Sequence, residues 1–341
     1  MRPFFENNVL QQQPFKPMII VVDTTKAGSA SNTFVLPIIK GTTETVKIYW
    51  GDGTKSIGVN GDNTHVYAVG GVYTVKIESR LFGGIYFNNL GDKAKITKIA
   101  NYGQGVSRLN IGSFYGCSSL LSISIGNIVS NGADASNQYR ECTALTTVPL
   151  FNLSNCTNAY AMFYQCTALT TVPLFNLSSV TNTQSMFYQC TALTTVPLFN
   201  LSSVTNAYAM FAYCPVTTVP LFNLSNCTST RSMFAYCPVT TVPLFNLSNC
   251  TNTQSMFYQC TALTTVPLLN LSSCTNASNM FAGVTLTTQS YSDFLINLAT
   301  LPLQSGVSFH GGNSKYNPAA AIARAYLISN FGWTITDGGA A

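Results

Sequence analysis

The stretch CTALTTVPLFNLSNCTNAYAMFYQC, residues Cys142–Cys166, decides the fold because the chain repeats it with few changes. One series of cysteines marks the successive copies at steps of 25, 24, 24, 24, 23 and 23 residues. Its members are Cys117, Cys142, Cys166, Cys190, Cys214, Cys237 and Cys260. A single copy is too short to bury its own apolar residues, so we expect the copies to stack and share one core.

Within a copy, the apolar residues recur in the pattern L-x-x-V-x-L. We expect Leu169, Val172 and Leu174 to point inward, the last two alternating along a short strand that ends near Pro173. Phe175 and Asn176 would follow as turn columns, and the asparagine would bind neighbouring backbone groups. About eight side chains per copy would be buried. Regularly spaced leucines with a period of about 20–29 residues predict a leucine-rich-repeat solenoid of 23–25-residue repeats, a mostly β fold.

The chain has eleven cysteines, which raises the question of disulfides. A second series, Cys156, Cys227, Cys250 and Cys274, has valine at its equivalent positions 180 and 204. A position that accepts either cysteine or valine requires a small apolar body. We therefore expect buried free thiols. No close pair such as C-x-x-C is present, so the sequence predicts no zinc site.

The run MFYQCTALTTVPL resembles the cysteine-containing repeat of BspA-type leucine-rich proteins, which carry A/M-F-x-x-C followed by L-T-x-I. The resemblance implies a repeat region from residue 93 to 289, beginning with Lys93 at the cysteine position and closing with Val284 there. Earlier members of the apolar frame are Ile96, Ile99, Leu120, Ile123 and Ile125. Proline stands between the last two apolar strand residues, which departs from the family pattern. Proteins of this type serve mostly in bacterial surface adhesion and also occur in phages and protists.

Residues 18–80 read differently, with alternating apolar residues, a Gly-Asp-Gly turn and two strand-like runs around the Gly70–Gly71 turn. This stretch resembles the PKD-type β-sandwich, a spacer or binding module outside cells. The matching residues are Trp50, Gly51, Asp52, Gly53, Thr64, His65, Tyr67, Gly71, Tyr73, Thr74 and Val75. Residues 1–17 would form an N-terminal arm and residues 81–92 a connector.

Residues 290–341 predict a C-terminal helical cap. We expect two helices, which begin near Asp293 and Asn317. Pro318 suits the first helical turn of the second helix, and Gly332 suits its end. A solenoid needs such an end to shield its last repeat from solvent.

Composition excludes several classes of function. Only 8% of the residues are charged, and Arg231 is the only charged side chain between Cys142 and Ser292. The chain therefore lacks the basic cluster of a nucleic-acid binder, and its apolar runs are too short to span a membrane. No catalytic motif is present and the repeats hold no carboxylate, so we expect neither an enzyme nor a cofactor. His65 and Asp52 are either a catalytic pair or, as we expect, a hydrogen bond that fixes a turn; His310 similarly would fix a loop.

Differences between copies collect in one triplet, which reads AYA, TQS, AYA, TRS, TQS and ASN, and in the two residues before each cysteine. Both places lie outside the apolar frame, so we expect them to face solvent. The triplet centres are Tyr160, Gln184, Tyr208, Arg231, Gln254 and Ser278, and beside them stand Tyr164, Tyr188, Tyr213, Tyr236 and Tyr258. Such residues form an adaptable, nearly neutral surface similar to an antibody paratope. The alternative is that the tyrosines only cover the side of the stack.

These observations favour a non-enzymatic phage virion surface protein, of tail-fibre or decoration type, that binds a glycan or protein on the host surface through its repeats. The first residues show no secretory signal, which favours assembly in the host cytoplasm and attachment to other virion proteins through the N-terminal arm. A secreted bacterial adhesin is the alternative. A third reading is a self-assembling fibre or capsid-decorating protein, because a nearly uncharged surface promotes homo-oligomers.

Overall fold

The computed structural model describes residues 16–39, 45–79, 83–103, 112–124 and 133–341. The predicted N-terminal arm lies almost wholly outside these residues, and Ile125 does as well. In the described part of the chain the fold is mostly β, with eleven strands, two α-helices and one short 3-10 helix, Lys93–Lys95. None of the described helices is long and apolar enough to cross a membrane.

The N-terminal residues form two sheets. Their strands are β1 (Met18–Asp23), β2 (Thr33–Ile39), β3 (Val46–Tyr49), β4 (Lys55–Gly58), β5 (Gly61–Val66), β6 (Val72–Glu78), β7 (Gly84–Ile85), β8 (Ile96–Asn101) and β9 (Ser122–Ile123). One sheet has the order β4-β3-β6-β1-β8-β9, and the other has the order β5-β2-β7. Every second residue of β1 and β2 is buried. The sheets meet at Gly58, where an added Cβ would lie 3.2 Å from the side chains of Ile38 and Ile48.

Two features of this region differ from the sequence-based expectation. The runs around Gly70 and Gly71 do not form a hairpin, because β5 pairs with β2 whereas β6 pairs with β1 and β3. The connector contributes β7 to the smaller sheet. Its last residue, Asp92, is buried and accepts hydrogen bonds from the backbone amides of Ser29 (2.6 Å) and Val35 (2.7 Å). The connector is thus bound into the N-terminal sheets.

The larger sheet leads directly into the repeats. Strand β8 pairs antiparallel with β1 on one side and parallel with β9 on the other. The frame residues Ile96, Ile99, Leu120 and Ile123 are all buried, as the repeat pattern predicts. The N-terminal sheet therefore supplies hydrogen-bonding partners to the first copies.

Each later copy stacks on the next through backbone hydrogen bonds. Isolated parallel bridges join equivalent residues, such as Asn158 with Asn182 and Thr147 with Thr171. Among the described copies, the Thr-Thr-Val-Pro side forms two isolated bridges instead of strands, Thr147 with Thr171 and Thr218 with Thr241, because proline removes the donor that a longer ladder needs. The predicted short strand is therefore reduced to one residue pair at two of the junctions between copies.

The expectation that Leu174 points inward is wrong. Its side chain is 59% exposed, whereas the next residue, Phe175, is 1% exposed. The backbone amide of Phe175 donates to the carbonyl of Pro173 (2.9 Å), which closes a three-residue turn with Leu174 at its tip. The turn directs the leucine outward and the phenylalanine into the core. About eight buried side chains per copy remain, with Phe175 in the place predicted for Leu174.

The C-terminal residues form α1 (Thr288–Leu298), β10 (Ser308–His310), α2 (Pro318–Phe331) and β11 (Thr334–Thr336). Asn317 caps α2 and Gly332 ends it with φ 66°, as predicted. The predicted start at Asp293 is wrong: Thr287 caps α1 through its hydroxyl, and Asp293 lies within the helix. This region contacts the last copy: Phe309 of β10 pairs with Ala277, and Phe294 of α1 packs on Phe281.

Candidate functional site

The ten residues predicted to bind a ligand form two neighbouring columns, together called here the aromatic face. One column holds the triplet centres Tyr160, Gln184, Tyr208, Arg231 and Gln254, and the other holds Tyr164, Tyr188, Tyr213, Tyr236 and Tyr258. The columns touch, because Tyr188, Tyr208, Tyr213 and Tyr258 all pack on one cluster of buried alanines. Arg231 and Tyr236 are exposed, and the other eight side chains are half-buried.

The backbone of the first column is held by asparagine side chains. The Oδ1 atom of Asn158 accepts from the amide of Tyr160 (3.1 Å), and the same bond recurs two residues before Gln184, Tyr208, Gln254 and Ser278. Such side-chain-to-backbone bonds fix a turn without help from a ligand. Five of the six triplet centres are therefore held by this bond; the exception is Arg231, which has Ser229 two residues before it.

Most of the outer residues of the triplets are buried, contrary to expectation, but Asn279 of the last triplet is exposed. Ala159, Ala161 and Thr183 are fully buried, and Ser185 is nearly so. The third triplet residue has a positive φ in every copy, for example 51° at Ala161. Recognition through the triplets thus rests mainly on their centres.

The second column is a continuous series of ring contacts. Tyr164 stacks on Tyr188 with centroids 4.8 Å apart, and Tyr213 stacks on Tyr236 at 4.3 Å. Edge-to-face contacts of 5.4 Å and 5.3 Å join Tyr188 to Tyr213 and Tyr236 to Tyr258. The shift of tyrosine to the position just before the cysteine, at Tyr213 and Tyr236, therefore preserves the column.

Two further residues extend this column, and the sequence reasoning missed them. The guanidinium of Arg140 lies 4.3 Å from the ring centroid of Tyr164 and 5.1 Å from that of Tyr115. Both residues stand two positions before a cysteine of the first series, so the repeat register alone would have identified them. In the first column Arg231 similarly lies over the ring of Tyr208, at 5.2 Å.

Two phenols of this face, Tyr188 and Tyr236, have a raised pKa. Burial raises the pKa of Tyr188, and a hydrogen bond with Tyr258 raises the pKa of Tyr236 to about 12. In the second column neighbouring rings occupy much of each tyrosine's aromatic surface, so ring edges and hydroxyls are the groups that this column offers to a ligand. Such a surface can donate and accept hydrogen bonds but presents little charge.

His65 and Asp52 form a structural contact in the N-terminal sheets. His65 Nε2 lies 2.7 Å from Asp52 Oδ2, and its ring stacks on Trp50 at 4.8 Å. Partial burial opposes ionisation of Asp52, but hydrogen bonds from Thr54 and His65 outweigh it and lower the carboxyl pKa to about 2. A carboxylate held so firmly ionised is a poor proton acceptor at neutral pH, so the geometry suits a turn clamp. His310 Nδ1 accepts from the amide of Gly312 (3.0 Å), which fixes that loop.

All eleven cysteines are free and buried, as predicted. The interior members of the first series also donate a hydrogen bond that the sequence did not reveal. The thiol of Cys190, for example, points to the carbonyl oxygen of Phe163 in the preceding copy, 3.1 Å away. Burial raises the pKa of Cys166 to about 12, and the pKa of Cys190 also lies well above its ordinary value, so these thiols are unreactive. Among the described residues, no group of three or more His, Cys, Asp or Glu side chains is placed to hold a metal ion.

Comparison with known proteins gives one family match. The family model described as "Mycoplasma protein of unknown function, DUF285" matches residues 133–243 and 199–294. These ranges cover the repeats that carry the aromatic face, and the match is consistent with a surface repeat protein of the BspA type. No curated protein and no solved structure matches the chain significantly.

Proposed function

We propose that the chain is a leucine-rich-repeat solenoid, with an N-terminal β-sandwich and a C-terminal helical cap, that binds a ligand without chemical conversion. The aromatic face is the binding surface, and one observation carries this proposal: the residues that vary between copies lie together in two adjoining columns. Packing dictates the buried positions, whereas the outward-facing centres are free to differ in tyrosine, glutamine and arginine.

The rigidity of the face supports recognition. Binding is weakened by the entropy lost when mobile side chains become ordered. On this face, ring contacts order the tyrosines of the second column, and the asparagine bonds order five of the six triplets before any ligand arrives. Tyrosine and arginine are also the residue types most often responsible for binding energy at interfaces.

The chemistry of the face favours a neutral, hydrogen-bonding ligand. Because the rings stack on one another, a ligand would meet mainly hydroxyls and ring edges, with the charge of Arg231 near the middle of the first column. A glycan or a polar protein surface on a host cell fits this description. The attachment should depend weakly on salt, since Arg231 is the one charged residue among the ten of the face and Arg140, at the end of the second column, is paired with Glu141 at 3.3 Å.

The setting that we propose is a phage virion protein of tail-fibre or decoration type, and a secreted bacterial adhesin is the alternative. The match to a family consistent with BspA-type surface proteins supports a role at a surface in either case. Mass spectrometry of purified particles and of secreted fractions distinguishes the two settings. Recovery of the chain only from secreted fractions contradicts the virion proposal and leaves the binding face unaffected.

The binding proposal is tested by changing Tyr160, Tyr208 and Arg231 to alanine. We expect an unchanged circular dichroism spectrum and attachment to host cells weakened about tenfold or more, which corresponds to about 1.4 kcal/mol. A gentler variant exchanges the two AYA triplets, residues 159–161 and 207–209, for TQS, which other copies already contain. A matched control changes the exposed residues Thr171, Thr195 and Thr218 to alanine. Undiminished attachment of the folded face variants contradicts the proposal.

A further inference from the structure

A row of exposed leucines runs along the repeats outside the aromatic face. The pentapeptide TTVPL occurs six times without change, and its leucine is between 49% and 62% exposed in every copy. The six residues, called here the leucine ridge, are Leu150, Leu174, Leu198, Leu221, Leu244 and Leu268. Single exposed leucines are common on protein surfaces, but a contiguous row marks an interaction site.

The ridge is fixed by the backbone. The amide of Phe175 donates to the carbonyl of Pro173, and the equivalent bond recurs at Phe199, Phe222, Phe245 and Leu269 with lengths of 2.8–2.9 Å. Each bond closes a three-residue turn whose tip carries the leucine. Because proline also restricts the backbone before each tip, the leucines cannot rotate into the core without breaking this turn. The apolar row is therefore a permanent feature of the folded surface.

The ridge has the area of a specific interface. Each leucine leaves on the order of 100 Å² exposed, so the row presents on the order of 600 Å² of apolar surface. The prolines and threonines beside it bring the strip near the roughly 800 Å² that each partner buries in a standard protein interface. Burying this strip would remove from water the largest apolar row that the described repeats expose.

We infer that two copies of this chain associate through the leucine ridge, antiparallel and related by a two-fold axis. Successive leucines lie one repeat apart, about 4.8 Å. Because the two rows belong to two copies of the same chain, their spacings are equal. The side chains of one row can therefore fill the gaps of the other along the whole length of the ridge. An isologous contact of this kind uses the same patch on both subunits.

Charge also favours a second copy. Between Cys142 and Ser292 the only charged side chain is Arg231, which belongs to the aromatic face and not to the ridge. No like charges therefore meet when two ridges come together. The prolines leave no continuous ladder on this side, so the contact relies on side chains instead of an added β-strand.

The test is the oligomeric state of the full chain in sedimentation velocity and light scattering. We expect a dimer at tens of micromolar. Leu198→Arg with Leu221→Arg should give a folded monomer, with the dissociation constant raised by about 100-fold or more, which corresponds to about 2.8 kcal/mol. The control Gln184→Arg with Gln254→Arg places the same two charges on the aromatic face, whose column already holds Arg231, and should remain dimeric.

The antiparallel arrangement has its own readout. The two-fold axis of a six-leucine row falls between Leu198 and Leu221, so each of these residues faces the other across the interface. A mixture of Leu198→Cys chains and Leu221→Cys chains should therefore form a disulfide between subunits on mild oxidation. Leu150→Cys, at one end, should not, because it faces the far end of the partner. If the arginine variant does not fold, Leu198→Asn with Leu221→Asn replaces it. A monomeric wild-type chain at high concentration, or a dimer that survives the ridge changes, overturns the inference.

Discussion

The thiol of Cys190 provides a sharp test of how the repeats are held together. It is fully buried, and its Sγ lies 3.1 Å from the carbonyl oxygen of Phe163, which also accepts from the amide of Cys166 at 3.1 Å. The thiol therefore acts as an apolar body and as a donor between copies. We predict that Cys190→Ser is more stable than Cys190→Ala, although serine normally destabilises an apolar core.

The magnitude follows from two opposing terms. Both substitutions remove the sulfur and leave a small cavity, so both should lower the free energy of unfolding by about 1–3 kcal/mol. The serine hydroxyl can still donate to the carbonyl oxygen of Phe163, and such a hydrogen bond makes a net contribution of about 0.5–1.5 kcal/mol to stability. Serine should therefore exceed alanine by roughly that amount. At Val216, also fully buried, the equivalent residues of the other copies are leucine or valine and donate no hydrogen bond, so Val216→Ser should be less stable than Val216→Ala by about 1–3 kcal/mol.

Urea unfolding of the four variants, followed by far-ultraviolet circular dichroism, measures both differences. The informative result is a reversal of sign between positions 190 and 216. If serine is less stable than alanine at both, the thiol contributes only apolar volume, and the preference for cysteine in this series has another cause.

Two further perturbations test the ends of the chain. Asp52→Asn should lower the free energy of unfolding of the N-terminal sheets by roughly 1–2 kcal/mol at pH 7. The pKa of the folded carboxyl, about 2, lies below its ordinary value. The stability difference between the wild-type chain and the variant should therefore be complete above about pH 4 and vanish as the pH falls through about 2. A constant difference in denaturation midpoints across that range contradicts this account. Removal of residues 291–341 should expose the apolar side chains of the last copy, including Phe281, and cause aggregation visible by light scattering, whereas a soluble monomer argues against a capping role.

The repeat period predicted which residues stack, and most of the buried frame follows from it. The directions of the remaining side chains depend on local turns. The Pro-Leu-Phe segment reads as alternating apolar residues, but a turn bond from Phe175 to Pro173 reverses the expected directions of the leucine and the phenylalanine. The triplets read as variable and therefore exposed, but most of their outer residues are buried in turns whose third residue has a positive φ. Conformations of this kind are compatible with many sequences, so a pattern of apolar residues does not reveal them. Arg140, in contrast, was available from the register and was overlooked because it lies just before the clean copies.

Near-identity among copies has different meanings for the two exposed surfaces. The copies agree almost everywhere, so the fact that every copy has a leucine at the ridge position is uninformative by itself. The inference that the ridge is an interface rests instead on the exposure of its leucines and on the turns that hold them. Variation is informative, because it shows which positions the stack does not constrain. A regular apolar row suits a partner with the same period, whereas a varied polar face suits a ligand that differs along its length.

No residue of the ridge belongs to the aromatic face, so pairing through the ridge would leave two binding faces in one dimer. Two linked faces raise the effective concentration for the second contact, and avidity can exceed the affinity of a single face by about 10²-fold or more. Weak, weakly salt-dependent contacts at each face are then sufficient for firm attachment to a surface that displays many copies of the ligand.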